Sequence, residues 1–278
     1  MPELPEVEIA RRQLARWLRG RRIAAVHVED PAVVRSKAST LPRDAHPDGM
    51  AQAQALVGQT LDQTARHGKR LGLRAGPSAF LVHLGMTGRW RWRSDGTVPR
   101  FSKLGLAAGD GVAWFTDMRR FGCVVPVAPD ALASALCAGH GPDALDAPPD
   151  GEALAERFGT RKAIKVALLD QHRLAGLGNI QAAEALFRAR IHPSTPAKAL
   201  DPDAWERLAQ AIPVQLRYTL GATDAEEVAY MTDGKHVANP FAVYGRDELP
   251  CTACSTAVAR GRHGGRSTFW CPRCQPAA

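Results

Sequence analysis

The chain has 278 residues, of which 45% are hydrophobic and 23% are charged, an ordinary balance for a globular protein. This composition excludes a disordered chain, a collagen and a coiled coil, and no apolar run reaches the ~18–20 residues that span a bilayer. The formal net charge is +8, with 20 cations against 11 acids in residues 1–125 and four arginines without an acid in residues 251–278. Such a basic surplus favours a polyanionic partner. The N-terminus is acidic and then basic, unlike a secretory signal, so a cytoplasmic location is expected.

The first predicted element is a helix over residues 5–19, because Val7, Leu14 and Leu18 recur on one helical face. Short β-type runs follow, separated by turns that contain Gly and Asp. These runs are Arg22–Val28, Leu71–Leu73, Phe80–Leu84, Gly111–Thr116 and Cys123–Val127. Residues 1–125 are therefore predicted to form an N-terminal helix plus an antiparallel β-sandwich or barrel.

Residues 126–150 contain five Pro, two Gly and no cation, a composition that predicts a linker, with room for a short helix at 130–136. Helical patterns follow at residues 151–158, 161–170, 179–190 and 202–220. Pro213 predicts a kink or a break in the last of these. The sequence thus predicts a helical domain over residues 151–250 and a separate small module over residues 251–278.

Four of the six cysteines have the spacing of a tetrahedral zinc site, Cys251-x2-Cys254-x16-Cys271-x2-Cys274. Two disulfides are the alternative, which a cytoplasmic location disfavours. Four thiolates leave no coordination position open, so one structural Zn²⁺ is expected, and its binding would supply folding energy to so small a module. The Gly-rich stretch between the two cysteine pairs carries arginines suited to a phosphate backbone.

Six segments match one known family in order and spacing over essentially the whole chain. They are Pro2-Glu3-Leu4-Pro5-Glu6-Val7-Glu8, His83-Leu84-Gly85-Met86-Thr87-Gly88, Thr116-Asp117-Met118-Arg119-Arg120-Phe121-Gly122, Gly176-Leu177-Gly178-Asn179-Ile180, Val243-Tyr244-Gly245-Arg246 and the cysteine module. The sequence resembles the Fpg/Nei family of DNA glycosylases, and most closely its formamidopyrimidine-DNA glycosylase (Fpg, MutM) branch. The resemblance implies an α+β multidomain fold: an N-terminal helix plus antiparallel β-sandwich, then a helical helix–two-turn–helix domain with a C-terminal four-cysteine zinc-finger hairpin.

The resemblance implies three catalytic residues. Pro2, once Met1 is removed, presents a secondary amine with an ordinary pKa near ~8, which leaves a neutral, nucleophilic fraction at pH 7. It would attack C1′ of a damaged nucleotide, expel the base and cleave the strand by β,δ-elimination through an iminium. Glu3 resembles the general acid/base that protonates the sugar ring oxygen. Lys69 resembles the hairpin lysine that contacts the phosphate beside the lesion, whereas Glu6 fits a helix-end charge and a supporting carboxylate equally well.

DNA contacts are implied for a further set of residues. These are Met86, Arg119, Arg120, Phe121, Lys162, Asn179 and Arg266, with Lys165 as the alternative to Lys162 for a phosphate contact. Met86, Arg119 and Phe121 match the side chains that fill the gap left by an extruded nucleotide. Asn179 lies where a helix would begin, so its side chain is expected to cap that helix while backbone N–H groups bind a phosphate. The expected partner is damaged double-stranded DNA, bound by a monomer in the bacterial cytoplasm or nucleoid, without a membrane.

Four features depart from the family pattern. Only seven residues separate Asp233-Gly234-Lys235 from Val243, in the loop that would clasp the flipped base. Residues 100–103 replace a His-containing phosphate contact, Met118 replaces Pro, and Gln181 replaces Tyr. The main prediction is removal of oxidised purines, 8-oxoguanine and formamidopyrimidines. Two alternatives stay open: an enzyme with altered lesion preference (oxidised pyrimidines or abasic sites only), and a non-catalytic zinc protein that binds damaged DNA.

Overall fold

A computed structural model of the chain describes residues 2–38, 45–221 and 239–277. The chain divides into two compact units, Met1–Ala138 and Gly139–Ala278, and the division lies inside the predicted linker. Within the described ranges, every helix is too short or too polar to cross a membrane.

The first unit opens with helix α1 (Leu4–Leu18), and a short helix α2 (Gly49–Gln54) follows the first strand. Its described strands form two four-stranded antiparallel sheets. The strands are β1 (Ile23–Val28), β2 (Leu61–His67), β3 (Arg70–Ala75), β4 (Ser78–His83), β5 (Arg89–Arg93), β6 (Ser102–Ala108), β7 (Gly111–Thr116) and β8 (Cys123–Val127). Their order is β1-β6-β7-β5 in one sheet and β2-β3-β4-β8 in the other.

An apolar core joins the two sheets and α1. Leu106 and Phe115 from the first sheet, Leu71 and Phe80 from the second, and Leu14 from α1 belong to one buried cluster. Removal of this apolar surface from water is the main force that holds the sheets together. The predicted β-sandwich with an N-terminal helix is confirmed.

The first part of the predicted linker packs on the first unit. A 3₁₀ turn, Pro129–Ala131, leads into helix α3 (Leu132–Cys137). Leu132 and Leu136 are buried beside Ala79 of β4. The unit therefore extends to Ala138.

The second unit contains four helices and one hairpin among its described residues. They are α4 (Gly151–Phe158), α5 (Ile164–Ala167), α6 (Asn179–Arg188), α7 (Pro202–Gly221), β9 (Ala259–His263) and β10 (Arg266–Trp270). The turns between α5 and α6 are held by the side chain of Gln171. It donates to the carbonyls of Leu169 and Leu177 and accepts the N–H of Gly176, all within 3.0 Å. These helices and turns form the helix–two-turn–helix element.

One helix prediction is corrected by the structure, and the break that was one alternative at Pro213 does not occur. The helix expected over residues 161–170 is confined to α5, because Ala163 has an extended ψ and turns follow Leu168. Helix α7 continues through Pro213. Leu208 and Leu216 are buried on either side of it, and their packing offsets the one backbone hydrogen bond that proline cannot make.

Candidate functional site

The N-terminal segment brings two carboxyl groups together in the interior. Glu3 is the N-cap of α1, and the Glu6 carboxylate accepts the backbone N–H of Glu3 at 2.7 Å, closing a capping box. Pro2 is buried beside them, and Glu3 and Glu6 are only 3% and 5% exposed. Burial, and then the neighbouring charge of Glu3, raise the pKa of Glu6 to about 7. A proton is therefore available next to Pro2 and Glu3 at neutral pH, a property that sequence reasoning missed.

Lys69 lies on the turn between β2 and β3, directly after Gly68. The Arg66 side chain, 1% exposed, ties this turn to α1, because its Nε lies 3.2 Å from Glu8 Oε2 while its Nη1 donates to the carbonyl of Gly68. Burial opposes ionisation of Glu8, but hydrogen bonds from arginines 11 and 12 of α1 lower its pKa below the ordinary value. The helix that follows Pro2 and the turn that carries Lys69 are thus joined by a buried ion pair.

Met86, Arg119 and Phe121, the residues predicted to fill the gap left by an extruded nucleotide and called the wedge residues below, lie on two loops that are joined by the Asp117 carboxylate. Asp117 Oδ1 accepts the Thr87 hydroxyl and, at 3.1 Å, the N–H of Arg119, while Oδ2 accepts the N–H of Gly122 at 2.6 Å. Gly85 has a φ of +63°, and a Cβ there would overlap the backbone of the opposite loop. The loop of residues 84–88 and the loop of residues 117–122 therefore pack as one body.

The three wedge residues and the neighbouring Arg120 lie outside the strands. Met86 and Phe121 are half-buried and Arg119 is exposed, with its guanidinium carbon 4.8 Å from the centre of the Phe121 ring. Arg120 is exposed but forms an ion pair with Asp30 at 2.9 Å. Their DNA-contacting roles stay predictions.

A buried arginine forms a hydrogen bond to the backbone of the loop of residues 117–122. Arg35 is fully buried, and its Nη2 donates to the carbonyl of Arg120 at 2.7 Å. Sequence reasoning assigned no role to Arg35, Thr87 or Asp117. Thr87 and Asp117 lie inside two of the motif segments, so their position in these motifs could have identified them.

In the second unit, the role expected for the Asn179 side chain is corrected. Gly178, not Asn179, is the N-cap of α6. Asn179 Oδ1 accepts from the buried Lys165 Nζ at 2.6 Å, and its Nδ2 donates to the carbonyl of Ser267 at 2.8 Å. The side chain is engaged in joining α5, α6 and the hairpin, so it cannot cap the helix. Lys162 and Arg266 are both exposed.

The end of the predicted lesion loop is anchored on α6, whereas residues 222–238 lie outside the described ranges. Glu184 accepts the backbone N–H groups of Ala242, Val243 and Tyr244 at 2.9, 3.0 and 2.8 Å. Burial raises the pKa of Glu184, and these three hydrogen bonds oppose that rise. The anchor was not predicted from the sequence.

The four cysteines of residues 251–278 converge on one point. Their sulfur atoms all lie within 4.8 Å of one another, with Cys251–Cys274 at 3.9 Å and Cys254–Cys271 at 3.4 Å. Tetrahedral zinc with bonds of ~2.3 Å places its sulfur ligands ~3.8 Å apart, so the four fit one ion. The N–H of Ala253 donates to the Cys251 sulfur at 3.4 Å, as thiolate ligands require. The module therefore holds one structural zinc.

Family models match three consecutive parts of the chain. Residues 1–124 match the formamidopyrimidine-DNA glycosylase N-terminal domain, and residues 140–227 match the formamidopyrimidine-DNA glycosylase H2TH domain. Residues 248–277 match the zinc finger found in FPG and IleRS.

Full-length relatives and solved structures agree with these matches. The chain is 39% identical to the formamidopyrimidine-DNA glycosylase of Geotalea uraniireducens over 99% of this chain and 100% of that one, and 38% identical to that of Geobacter sulfurreducens with the same coverage. A Lactococcus lactis Fpg bound to abasic-site DNA superposes with a TM-score of 0.85 at 28% identity, covering 99% of this chain and 100% of that chain. A MutM complex with DNA containing carbocyclic 8-oxo-G gives 0.84 at 28% identity with the same coverage. The chain belongs to the formamidopyrimidine-DNA glycosylase family.

Proposed function

We propose that this family member is a bifunctional base-excision-repair enzyme, a DNA glycosylase with AP lyase activity that removes 8-oxoguanine and formamidopyrimidines from duplex DNA. The observation that carries the proposal is the buried Pro2–Glu3–Glu6 arrangement, in which a proton is held beside a potential secondary amine. Relatives solved with Fapy-dG DNA and abasic-site DNA support the substrate class. We further propose that it acts as a monomer in the bacterial cytoplasm or nucleoid.

The chemistry begins once Met1 has been removed. The Pro2 nitrogen gives its lone pair to C1′, the C1′–N bond breaks, and the proton lost from the Pro2 N–H leaves on the damaged base. Glu3 donates a proton to the sugar ring oxygen, the ring opens, and an iminium joins Pro2 to C1′. Because its pKa is raised to about 7, part of the Glu6 population is neutral at pH 7, which limits the negative charge that accumulates beside Glu3.

Strand cleavage uses the same residues in reverse roles. The iminium draws electrons from C1′, so the Glu3 carboxylate can take the C2′ proton while the C–H electron pair forms a double bond and expels the 3′ phosphate. A second elimination expels the 5′ phosphate, and water then releases Pro2. Lys69 holds a phosphate beside the lesion, and Met86, Arg119 and Phe121 fill the gap in the duplex. The zinc maintains the hairpin that carries Arg266.

Borohydride trapping on a panel of duplexes tests the proposal. Reduction of the iminium joins protein to DNA, and mass spectrometry of the adduct should place the bond on Pro2. We expect adducts with 8-oxoguanine, formamidopyrimidine and abasic-site duplexes, and their loss in Pro2→Gly. An absence of adducts on every duplex would contradict the enzymatic proposal and leave a non-catalytic DNA-binding protein.

One second candidate is favoured by a specific observation. Only seven residues separate Lys235 from Val243, in the loop predicted to clasp the flipped base. A shorter loop favours an altered lesion preference, limited to oxidised pyrimidines or abasic sites. Adducts with these duplexes but not with 8-oxoguanine or formamidopyrimidine would select this candidate.

A further inference from the structure

Phe101 has a backbone conformation that its residue type disfavours. Its φ is +65°, in the left-handed region where a Cβ and a bulky ring are strained. The side chain is 40% exposed, so core packing does not account for the phenylalanine. Strained residues cluster at sites of function, where the surrounding structure maintains them.

The strain is maintained by contacts that reach the wedge loops. The carbonyl of Phe101 accepts the N–H of Asp117 at 3.0 Å, and Asp117 is the residue that clasps those loops. On the other side, the hydroxyl of Ser102 donates to the carbonyl of Pro99 at 2.7 Å. The Phe101 turn is therefore coupled directly to the body that carries Met86, Arg119 and Phe121.

A basic side chain lies against the Phe101 ring, and an exposed apolar side chain follows its hydrogen-bond partner Asp117. The guanidinium carbon of Arg100 lies 4.5 Å from the centre of the Phe101 ring. Met118, the residue after Asp117, is 58% exposed. Lys103, two residues after Phe101, and Arg120 both pair with Asp30, at 3.4 and 2.9 Å, so this carboxylate offsets part of their charge.

We propose that Phe101 is a further nucleotide-binding residue, on which an unstacked nucleobase stacks while Arg100 contacts its phosphate. An aromatic face accepts any base, and a neighbouring guanidinium attracts the phosphate. The Arg100–Phe101 pair repeats the Arg119–Phe121 pair of the wedge, where a cation also lies over an aromatic ring. This inference rests on the proposed function, since it assigns a second contact on the same damaged duplex.

The Phe101→Asn substitution should affect stability and DNA binding differently: it should maintain or raise the melting temperature but lower the affinity for DNA. Asn tolerates a positive φ, so the variant should melt at the same or a higher temperature than the wild type. Loss of one base–aromatic stack should weaken binding to a duplex with a tetrahydrofuran abasic analogue by roughly 5- to 100-fold, measured by fluorescence anisotropy at fixed salt. Phe101→Tyr should retain wild-type affinity. Met50→Asn, at an exposed apolar residue of α2, is the matched control and should bind as the wild type does.

The Phe101→Trp variant reports stacking directly. Its added emission, relative to the wild type, should be quenched when the abasic duplex binds. Unchanged affinity in Phe101→Asn, an unquenched Phe101→Trp, or a binding loss matched by a lower melting temperature would each overturn the inference. Trapping of the wild type on an abasic duplex runs in the same series. If that fails, the proposed function fails, whereas a trapping wild type with unaffected variants removes only the role of Phe101.

Discussion

The Glu6 carboxyl lies in the first turn of α1, where it accepts the backbone N–H of Glu3 and is shielded from solvent. The helix cap explains why a carboxyl is needed there. The raised pKa explains what it adds chemically, since an ordinary glutamate would be ionised at pH 7. The cap at the helix end is therefore observed, whereas a supporting role for Glu6 in catalysis stays a proposal.

The Glu6 carboxyl makes stability depend on pH. Its folded pKa of about 7 lies above the ordinary 4.5, so its contribution is fully present below about pH 4.5 and is lost as pH rises through 7. Glu6→Gln retains an acceptor for the Glu3 N–H but never ionises. We expect this variant to exceed the wild type in free energy of unfolding at pH 8, by up to about 3 kcal/mol, and to keep only a small part of this advantage at pH 5.

Urea unfolding at pH 5, 6, 7 and 8 measures this difference. The control is Glu29→Gln, which changes an exposed carboxylate of the same unit. Parallel profiles for the wild type and Glu6→Gln would show that Glu6 is ionised throughout this range and would contradict the prediction.

Single residues also mark the limit of prediction from sequence. Pro2, Glu3 and Lys69 are recognisable because their chemistry belongs to a motif. Arg35 and Glu184 act by bonding to backbone groups 85 and 58–60 positions away, and such contacts leave no trace in side-chain spacing. The cap expected at Asn179 was wrong for the same reason, because its acceptor oxygen is used by Lys165.

Among the strands, two of those that were not predicted, β2 and β5, lie at sheet edges. Their sequences are polar, LDQTARH in β2 and RWRWR in β5, so neither strand stands out as an apolar run, unlike the edge strands β1 and β8. The strict alternation in β5 was a usable period-2 signal that its three arginines obscured. The third, β6, is interior but rich in Ala, Gly and Lys, which strands disfavour.

The clasp between the two wedge loops gives a test by substitution. Asp117→Asn replaces one acceptor oxygen by an amide group, so either the Gly122 N–H or the Thr87 hydroxyl loses its partner. A buried donor without an acceptor costs about 1–3 kcal/mol, so the variant should melt at a lower temperature. It should also bind an abasic duplex more weakly, because Met86 and Phe121 are no longer held together.

Differential scanning calorimetry and anisotropy measure the two effects of Asp117→Asn. Asp95→Asn changes a carboxylate on an exposed turn and serves as the control. Wild-type melting and affinity in Asp117→Asn would show that the loops hold their positions without the clasp.

For the chain as a whole, the order of motifs predicted the sandwich, the helical element and the zinc hairpin, because each has its own periodicity or ligand spacing. The end of the first unit was harder to predict, because the buried leucines of α3 lie in a proline-rich stretch that has the composition of a linker. The sequence left the choice of lesion open, because the loop predicted to clasp the flipped base departs from the family pattern.

Metal removal tests the contribution of the zinc to the second unit. Because the hairpin of β9 and β10 is small, chelation should unfold it and abolish binding to abasic DNA. We expect one zinc per chain by colorimetric release, and less in Cys251→Ser. Cys137→Ser removes an exposed cysteine outside the cluster and should retain full zinc. Full zinc in Cys251→Ser would place the metal elsewhere.

The Glu184 anchor has a consequence for the loop that is predicted to select the lesion. A carboxylate that holds three consecutive backbone N–H groups is indifferent to which side chains those residues carry. The chain that precedes them can therefore gain or lose residues while its exit point stays fixed, and closure entropy grows only slowly with length. The predicted lesion loop can therefore be exchanged as a unit. Grafting a longer relative's loop between α7 and Ala242 should alter substrate range without redesign of the scaffold.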